Sequence, residues 1–151
     1  MCARLTQFAL FAQWLEHDVF DTGKGKLTIY FIGHGTLRFD YNDYVIHIDP
    51  VGRYTDYSKQ PKADLILITH AHSDHFDPEA IAHIEKNGTH FIVNKEVADK
   101  LNKGEVMING DKTMFKDIAI NAVPAYNPER PQHPKGRDNG YVLRIGDKTI
   151  Y

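Results

Sequence analysis

The sequence predicts an α+β protein in which two layers of β-sheet are covered by helices. Three observations carry that prediction. Residues 27–49 hold a run of short alternating or β-rich segments separated by turn residues. The segment Leu65-Ile66-Leu67-Ile68 is apolar throughout and leads into a capped helical pattern, as expected of a strand buried on both faces. More short strand patterns follow, so sheet outweighs helix and packing the helices onto the sheets is the natural arrangement.

The chain has 151 residues, enough for one domain with a core. It is 42% hydrophobic and 25% charged, which argues against wholesale disorder. The formal net charge is -2 and no basic block occurs. Nucleic acid is therefore not an expected partner, since phosphate binding leans on clustered Lys and Arg. No apolar stretch reaches the length of a membrane span, so a membrane is not expected either. Cys2 is the one cysteine, which excludes an intrachain disulfide and fits a reducing, cytoplasmic setting.

Residues 1–26 read as an N-terminal segment and linker, with the domain over 27–151. In "MCARLTQFALFAQWLEH" the apolar run after Arg4 is broken by Thr6 and Gln7, and cleavage after Ala12 would put Leu10 where a small residue is wanted. An amphipathic helix is expected there, with a partial signal segment over residues 1–20, and export, as the alternative. "DTGKGK" (21–26) reads as a flexible turn, because its glycine spacing is not that of a phosphate loop and no helix follows.

"LTIYFI" (27–32) is a strand by its β-branched and aromatic content. "TLRFD" (36–40) alternates, with Leu37 and Phe39 on one face, and "YVIHID" (44–49) returns after a turn and stops at Pro50. After "LILIT" (65–69), Asp77 caps a helix with Pro78 at its first position, Ile81 and Ile84 on one face and Gly88 as its stop. "HFIVN" (90–94) is a strand and "KEVADKLNKG" (95–104) a helix ending at Gly104. "VMI", "TMF" and "IAINAVP" are short strands. The proline-rich stretch 125–140 is an irregular loop, and 141–151 a hairpin.

"THAHSDHFD" (69–77) crowds His70, His72, Asp74, His75 and Asp77 together in a chain with nine histidines. Two residues apart after an extended strand, His70 and His72 point the same way. Imidazole is a good ligand for zinc and similar metals. Asp74 and His75 follow a turn and face a second ion. A polar loop with incidental histidines is the plainer alternative, but this cluster between a buried strand and a capped helix favours metal. His17, His47, His83 and His90 read as ordinary surface or strand residues.

These residues resemble the metallo-β-lactamase-fold hydrolases, whose first motif, H-x-H-x-D-H after a buried strand, is matched by His70, His72, Asp74 and His75. "GHGTLRF" (33–39), "HIDP" (47–50) and the stretch 122–143 resemble the subgroup that includes the bacterial ascorbate-6-phosphate lactonase. The resemblance spans roughly residues 27–151. It implies a four-layer αββα sandwich, with His133 as the third ligand of a first ion that has an open fourth position. An ion so held lowers the pKa of water from about 15.7 to about 7. The implied activity is hydrolysis of a small-molecule ester, lactone or phosphoester. Asp74 would be the catalytic residue, orienting the water and helping His75 hold a second ion. Zinc, one or two ions, is the expected cofactor, with manganese or iron as alternatives. The resemblance also puts His34 near the metals, where it contacts substrate or only shapes its turn. Asp49 either hydrogen-bonds a ligand histidine or caps the turn before Pro50, and Tyr126 and Asn127 line a pocket.

In the family, the strand matching "KTIY" continues into a Gly-Asp pair that bridges the two metals, and a later histidine completes the second site. Both fall beyond Tyr151, so roughly the last third of the domain is expected to be missing and the chain reads as a fragment. With Asp74 and His75 alone, the second ion is expected to bind weakly or not at all. A catalytically incomplete metal-binding fragment or assembly partner is the alternative function, and an exposed sheet edge at Tyr151 would invite a homo-oligomer.

Overall fold

The structure, a computed structural model, describes residues 15–151. The N-terminal helix or signal segment and Cys2 lie outside the described residues, apart from the segment's last few positions. A seven-stranded sheet contains, in spatial order, β1 (Glu16–Asp21), β2 (Lys26–Gly33), β3 (Thr36–Tyr41), β4 (Tyr44–Ile48), β5 (Leu65–Ile68), β6 (His90–Val93) and β7 (Glu105–Val106). Strands β1 to β4 run antiparallel, and β4 to β7 pair in parallel. Helices α1 (Pro78–Ile84) and α2 (Lys95–Leu101) supply the crossovers around β6. A second, antiparallel sheet holds β8 (Lys112–Phe115), β9 (Ile118–Pro124), β10 (Asn139–Ile145) and β11 (Lys148–Ile150) in the order β11-β10-β9-β8.

Strand β5 shows why the layers stack as they do. All four of its residues are fully buried. Leu65 and Leu67 join Phe39, Ile46, Ile120 and Leu143 in the core between the sheets. Ile66 and Ile68 turn the other way and join Ile81, Ile84 and Val97 under the helices. Period-two alternation thus splits one apolar run between two cores. The fold is α+β, and three of the four layers of the αββα sandwich are present. Among the described residues no helix covers the outer face of the small sheet, where Met114 is 59% exposed.

Three expectations need correction. Residues 16–21, read as part of an N-terminal segment, form edge strand β1, paired with β2 from Glu16↔Phe31 to Asp21↔Lys26. Every residue of β1 is exposed, so it carries no burial period to read. "DTGKGK" is the fixed turn of that hairpin. The Thr22 hydroxyl donates to the Gly25 carbonyl at 2.8 Å, and a Cβ at Gly25 would collide with the Asn42 side chain. Helix α1 also stops early, with Glu85 as its C-cap, and Gly88 sits in the turn beyond it.

His47 is a strand residue as read, but it is fully buried. Its Nε2 lies 3.1 Å from the Pro61 carbonyl, and its Nδ1 has no partner. Burial, only partly offset by the Pro61 bond, lowers its pKa to about 4. The unfolded chain takes up a proton there near pH 6.5 and the folded chain only near 4. Stability is therefore lost as pH falls through that window, by about 3 kcal/mol from this residue. We expect urea midpoints of the metal-free protein to drop between pH 7 and pH 4.5, and to drop less in His47→Gln. Equal slopes in the two proteins would show that His47 is not the source.

Candidate metal centre

The loop that follows β5 is pinned at both ends. At its start the Thr69 backbone N–H and hydroxyl both donate to the Asp49 carboxylate, at 2.8 and 2.7 Å. At its end Asp77 caps α1 by accepting from Glu79 and Ala80, and its second oxygen accepts from the Gly52 N–H. Between them the His75 and Phe76 N–H groups donate to the His72 carbonyl, and Phe76 is buried under the helices. A loop held this tightly can aim several polar side chains at one point.

His70, His72 and His133 form one group, with a ligand atom from each within 4.8 Å of the others. Their ring centroids are 4.7 Å apart on all three sides. The His70 Nε2 is buried and has no hydrogen-bond partner. Leaving a buried polar atom unpaired costs roughly 1–3 kcal/mol, a cost a metal ion in the triangle would remove. Three imidazoles with room for a fourth ligand match the donor set of a catalytic zinc site.

His133 comes from the loop between β9 and β10 and sits in a left-handed backbone conformation, φ 60°. Its Nδ1 lies 2.9 Å from the Asp138 carboxylate, which is buried and also accepts from Arg137. That bond keeps the proton on Nδ1 and leaves Nε2 for a metal. Burial works against the charge on Asp138, but the Arg137 and His133 bonds outweigh it and hold its carboxyl below the usual range. Asn109 and Asn94 clamp the same turn by donating to the carbonyls of Asp138 and Arg137.

The second group is His34, Asp74 and His75. The Asp74 Oδ2 is 3.3 Å from the His34 Nε2 and 3.9 Å from the His75 Nε2. The two groups adjoin, since the His70 and His75 rings are 4.1 Å apart. The β2–β3 turn thus brings a third metal-seeking side chain, His34, beside Asp74 and His75.

The Asp49 carboxylate accepts from the His75 Nδ1 at 2.7 Å. Through Thr69, whose oxygen is 2.9 Å from the His70 Nδ1, it reaches the first group as well. Burial holds Asp49 above the usual carboxylate range despite these bonds. For His75 burial opposes the charge, but Asp49 prevails and holds its pKa above the ordinary value. Burial and the neighbouring histidines bring His70 down to about 4, so its ring is neutral at physiological pH. Burial slightly disfavours the Asp74 charge, while its own backbone N–H and the adjacent histidines keep its pKa low.

A cavity of about 470 Å³ opens beside the histidines. Its wall includes Tyr126 and Asn127, with Leu37, Phe39 and Leu143 further in. The Asn127 N–H donates to the His133 carbonyl and its amide to Gln132, so it also shapes the loop. Sequence reasoning missed Asp138 and Thr69. Adjacency to the motif could have flagged Thr69. For Asp138 the one signal was an acid five residues after His133.

The β-lactamase superfamily domain matches residues 28–151. A UPF0173 metal-dependent hydrolase from Christiangramia forsetii is 39% identical over 139 residues, covering 83% of this chain and 60% of the relative. One from Nanoarchaeum equitans is 30% identical over 135 residues, covering 83% and 58%. The chain thus spans about three fifths of the length of these relatives. Among solved structures, a Parabacteroides distasonis protein described as a metal-dependent hydrolase superposes with a TM-score of 0.84. It is 46% identical, with 89% of this chain and 63% of that one covered. A metallo hydrolase from Ignicoccus hospitalis shares the fold at a TM-score of 0.63 and 24% identity, covering 82% and 58%.

Replacing Asp138 with Asn should weaken zinc binding by about 10–100-fold, the usual effect of losing a carboxylate behind a ligand histidine. Competition with a chromophoric chelator reads this directly, with circular dichroism checking the fold. Unchanged affinity would mean that Asp138 does not orient His133.

Proposed function

The chain belongs to the β-lactamase superfamily domain family, and from that premise we propose that it carries the metal centre of a metal-dependent hydrolase acting on a small ester, lactone or phosphoester. The observation that carries this reading is the triangle of His70, His72 and His133 with the His70 Nε2 buried and unpaired. These three residues would hold a zinc ion; manganese or iron also accept such donors. A bound ion supplies Lewis acidity, bringing a coordinated water close to ionisation at neutral pH and polarising a carbonyl or phosphoryl oxygen.

The chain's own groups do the rest. Asp74 is charged at neutral pH and partly exposed beside both groups, so it can accept a hydrogen bond from the attacking water and orient it. Asp138 and the Asp49–Thr69 pair hold the ligand rings in the orientation that faces the centre. Tyr126 and Asn127 border the space a substrate would fill. That space suits a small molecule, and the net charge of -2 argues against a polynucleotide. The likeness of residues 33–39 and 122–143 to the lactonase subgroup makes a small polar lactone the first substrate to try. One cysteine in the whole chain suits the cytoplasm; no helix among the described residues is long and apolar enough to cross a membrane.

The test is a panel of lactones, esters and phosphodiesters assayed with zinc-, manganese- and iron-loaded protein. Hydrolysis should vanish on chelation and return with metal. Asp74→Asn should lower kcat about 100-fold or more at unchanged fold. Activity that survives complete chelation would overturn the mechanism. Metal binding without hydrolysis of any class would support a catalytically incomplete metal-binding protein instead.

A further inference from the structure

We propose that His34 is a protein ligand of the second metal ion, so that His34, Asp74 and His75 hold that ion from within residues 34–75 of this chain. The inference rests on the reading above that the centre binds metal.

The spacing of the side chains suits an ion. Ligand atoms about 2.0–2.1 Å from a tetrahedral ion stand roughly 3.3–3.4 Å from one another. The His34 Nε2 and Asp74 Oδ2 are 3.3 Å apart, already at that separation. The His75 Nε2 lies 3.9 Å from the same oxygen, a small adjustment away. The His75 Nδ1 faces Asp49, so its Nε2 is the nitrogen left for an ion.

A strained backbone puts His34 there. It adopts φ 52°, a left-handed conformation uncommon outside glycine, in the tight turn between β2 and β3. Glycines flank it on both sides. A Cβ at Gly35 would stand 2.9 Å from the His75 ring, and one at Gly33 would stand 2.9 Å from the Tyr54 ring. The turn is therefore pressed against a candidate metal ligand as closely as glycine allows. Backbone strain of this kind gathers at functional sites, where the surrounding structure holds it in place.

Without an ion, His34 would have little to do. As an ion pair with Asp74, its side chain is 51% exposed and that of Asp74 42% exposed. Exposed pairs contribute little to stability, too little to account for a strained turn wedged between two aromatic rings. The alternative role, contact with substrate alone, leaves the match to ligand spacing as coincidence.

The experiment is metal counting on the 151-residue chain, equilibrated with zinc by dialysis, desalted and analysed by inductively coupled plasma mass spectrometry. A zinc titration by isothermal calorimetry runs in parallel. Wild type should hold two ions. His34→Ala should hold one, with the second bound at least tenfold more weakly. His34→Asn is the folding control, because asparagine tolerates the left-handed turn but is too short to reach the ion; it should match His34→Ala. Two tightly held ions in both variants would overturn the proposal while leaving metal binding at the centre intact, and a changed KM there would assign His34 to substrate. One ion in wild type would also overturn it. No bound ion in wild type would defeat the underlying reading itself.

Discussion

The candidate metal centre depends on one buried carboxylate. Asp49 follows β4 in a left-handed conformation, φ 45°, and its carboxylate has three donors in reach. They are the Thr69 N–H, the Thr69 hydroxyl and the His75 ring. Its backbone is also engaged: its N–H donates to Leu67, and its carbonyl accepts from the Thr36 hydroxyl at 2.7 Å. One residue thus ties β3, the end of β5 and the ligand loop together. A charge in this position is costly to bury, and full hydrogen bonding is what makes it tolerable. The arrangement converts a single negative group into fixed orientations for His75 directly and His70 through Thr69.

Around that anchor the two sheets must keep register, because the candidate ligands come from both. His70 to His75 leave the large sheet, whereas His133 hangs from the small one. The joint is made by Tyr141, whose hydroxyl donates to the Ile68 carbonyl at 3.0 Å, and by the Asn139 N–H, which donates to Thr69 at 3.2 Å. Both contacts fall within two residues of His70. The apolar core between the sheets supplies the cohesion, and these two bonds fix the seam beside His70.

What the sequence disclosed was local. Leu65 to Ile68 announced a doubly buried strand because burial on both faces leaves no polar position. Asp77 and Pro78 announced a helix because capping and proline chemistry act within one turn. The crowding of His70, His72, Asp74 and His75 needed only extended and turn geometry to read as a metal site. What stayed hidden was of two kinds. Strand β1 has no buried face, so no periodicity marks it. Asp138 and the buried setting of His47 depend on which segments meet in space, and Asp138 reaches His133 only because the loop between β9 and β10 curls back. A single sequence carries no record of such meetings.

His133 and the histidines of the β5 loop lie about sixty positions apart in sequence and belong to different sheets. An ion seated between them is consequently a crosslink, closing a long loop much as a disulfide would in a chain that has none to offer. Ligands that bind only the folded state stabilise it in proportion to the logarithm of their concentration. The melting temperature of this fold would then follow the supply of metal, and starvation for the ion would loosen the contact between the two sheets along with the chemistry at the centre.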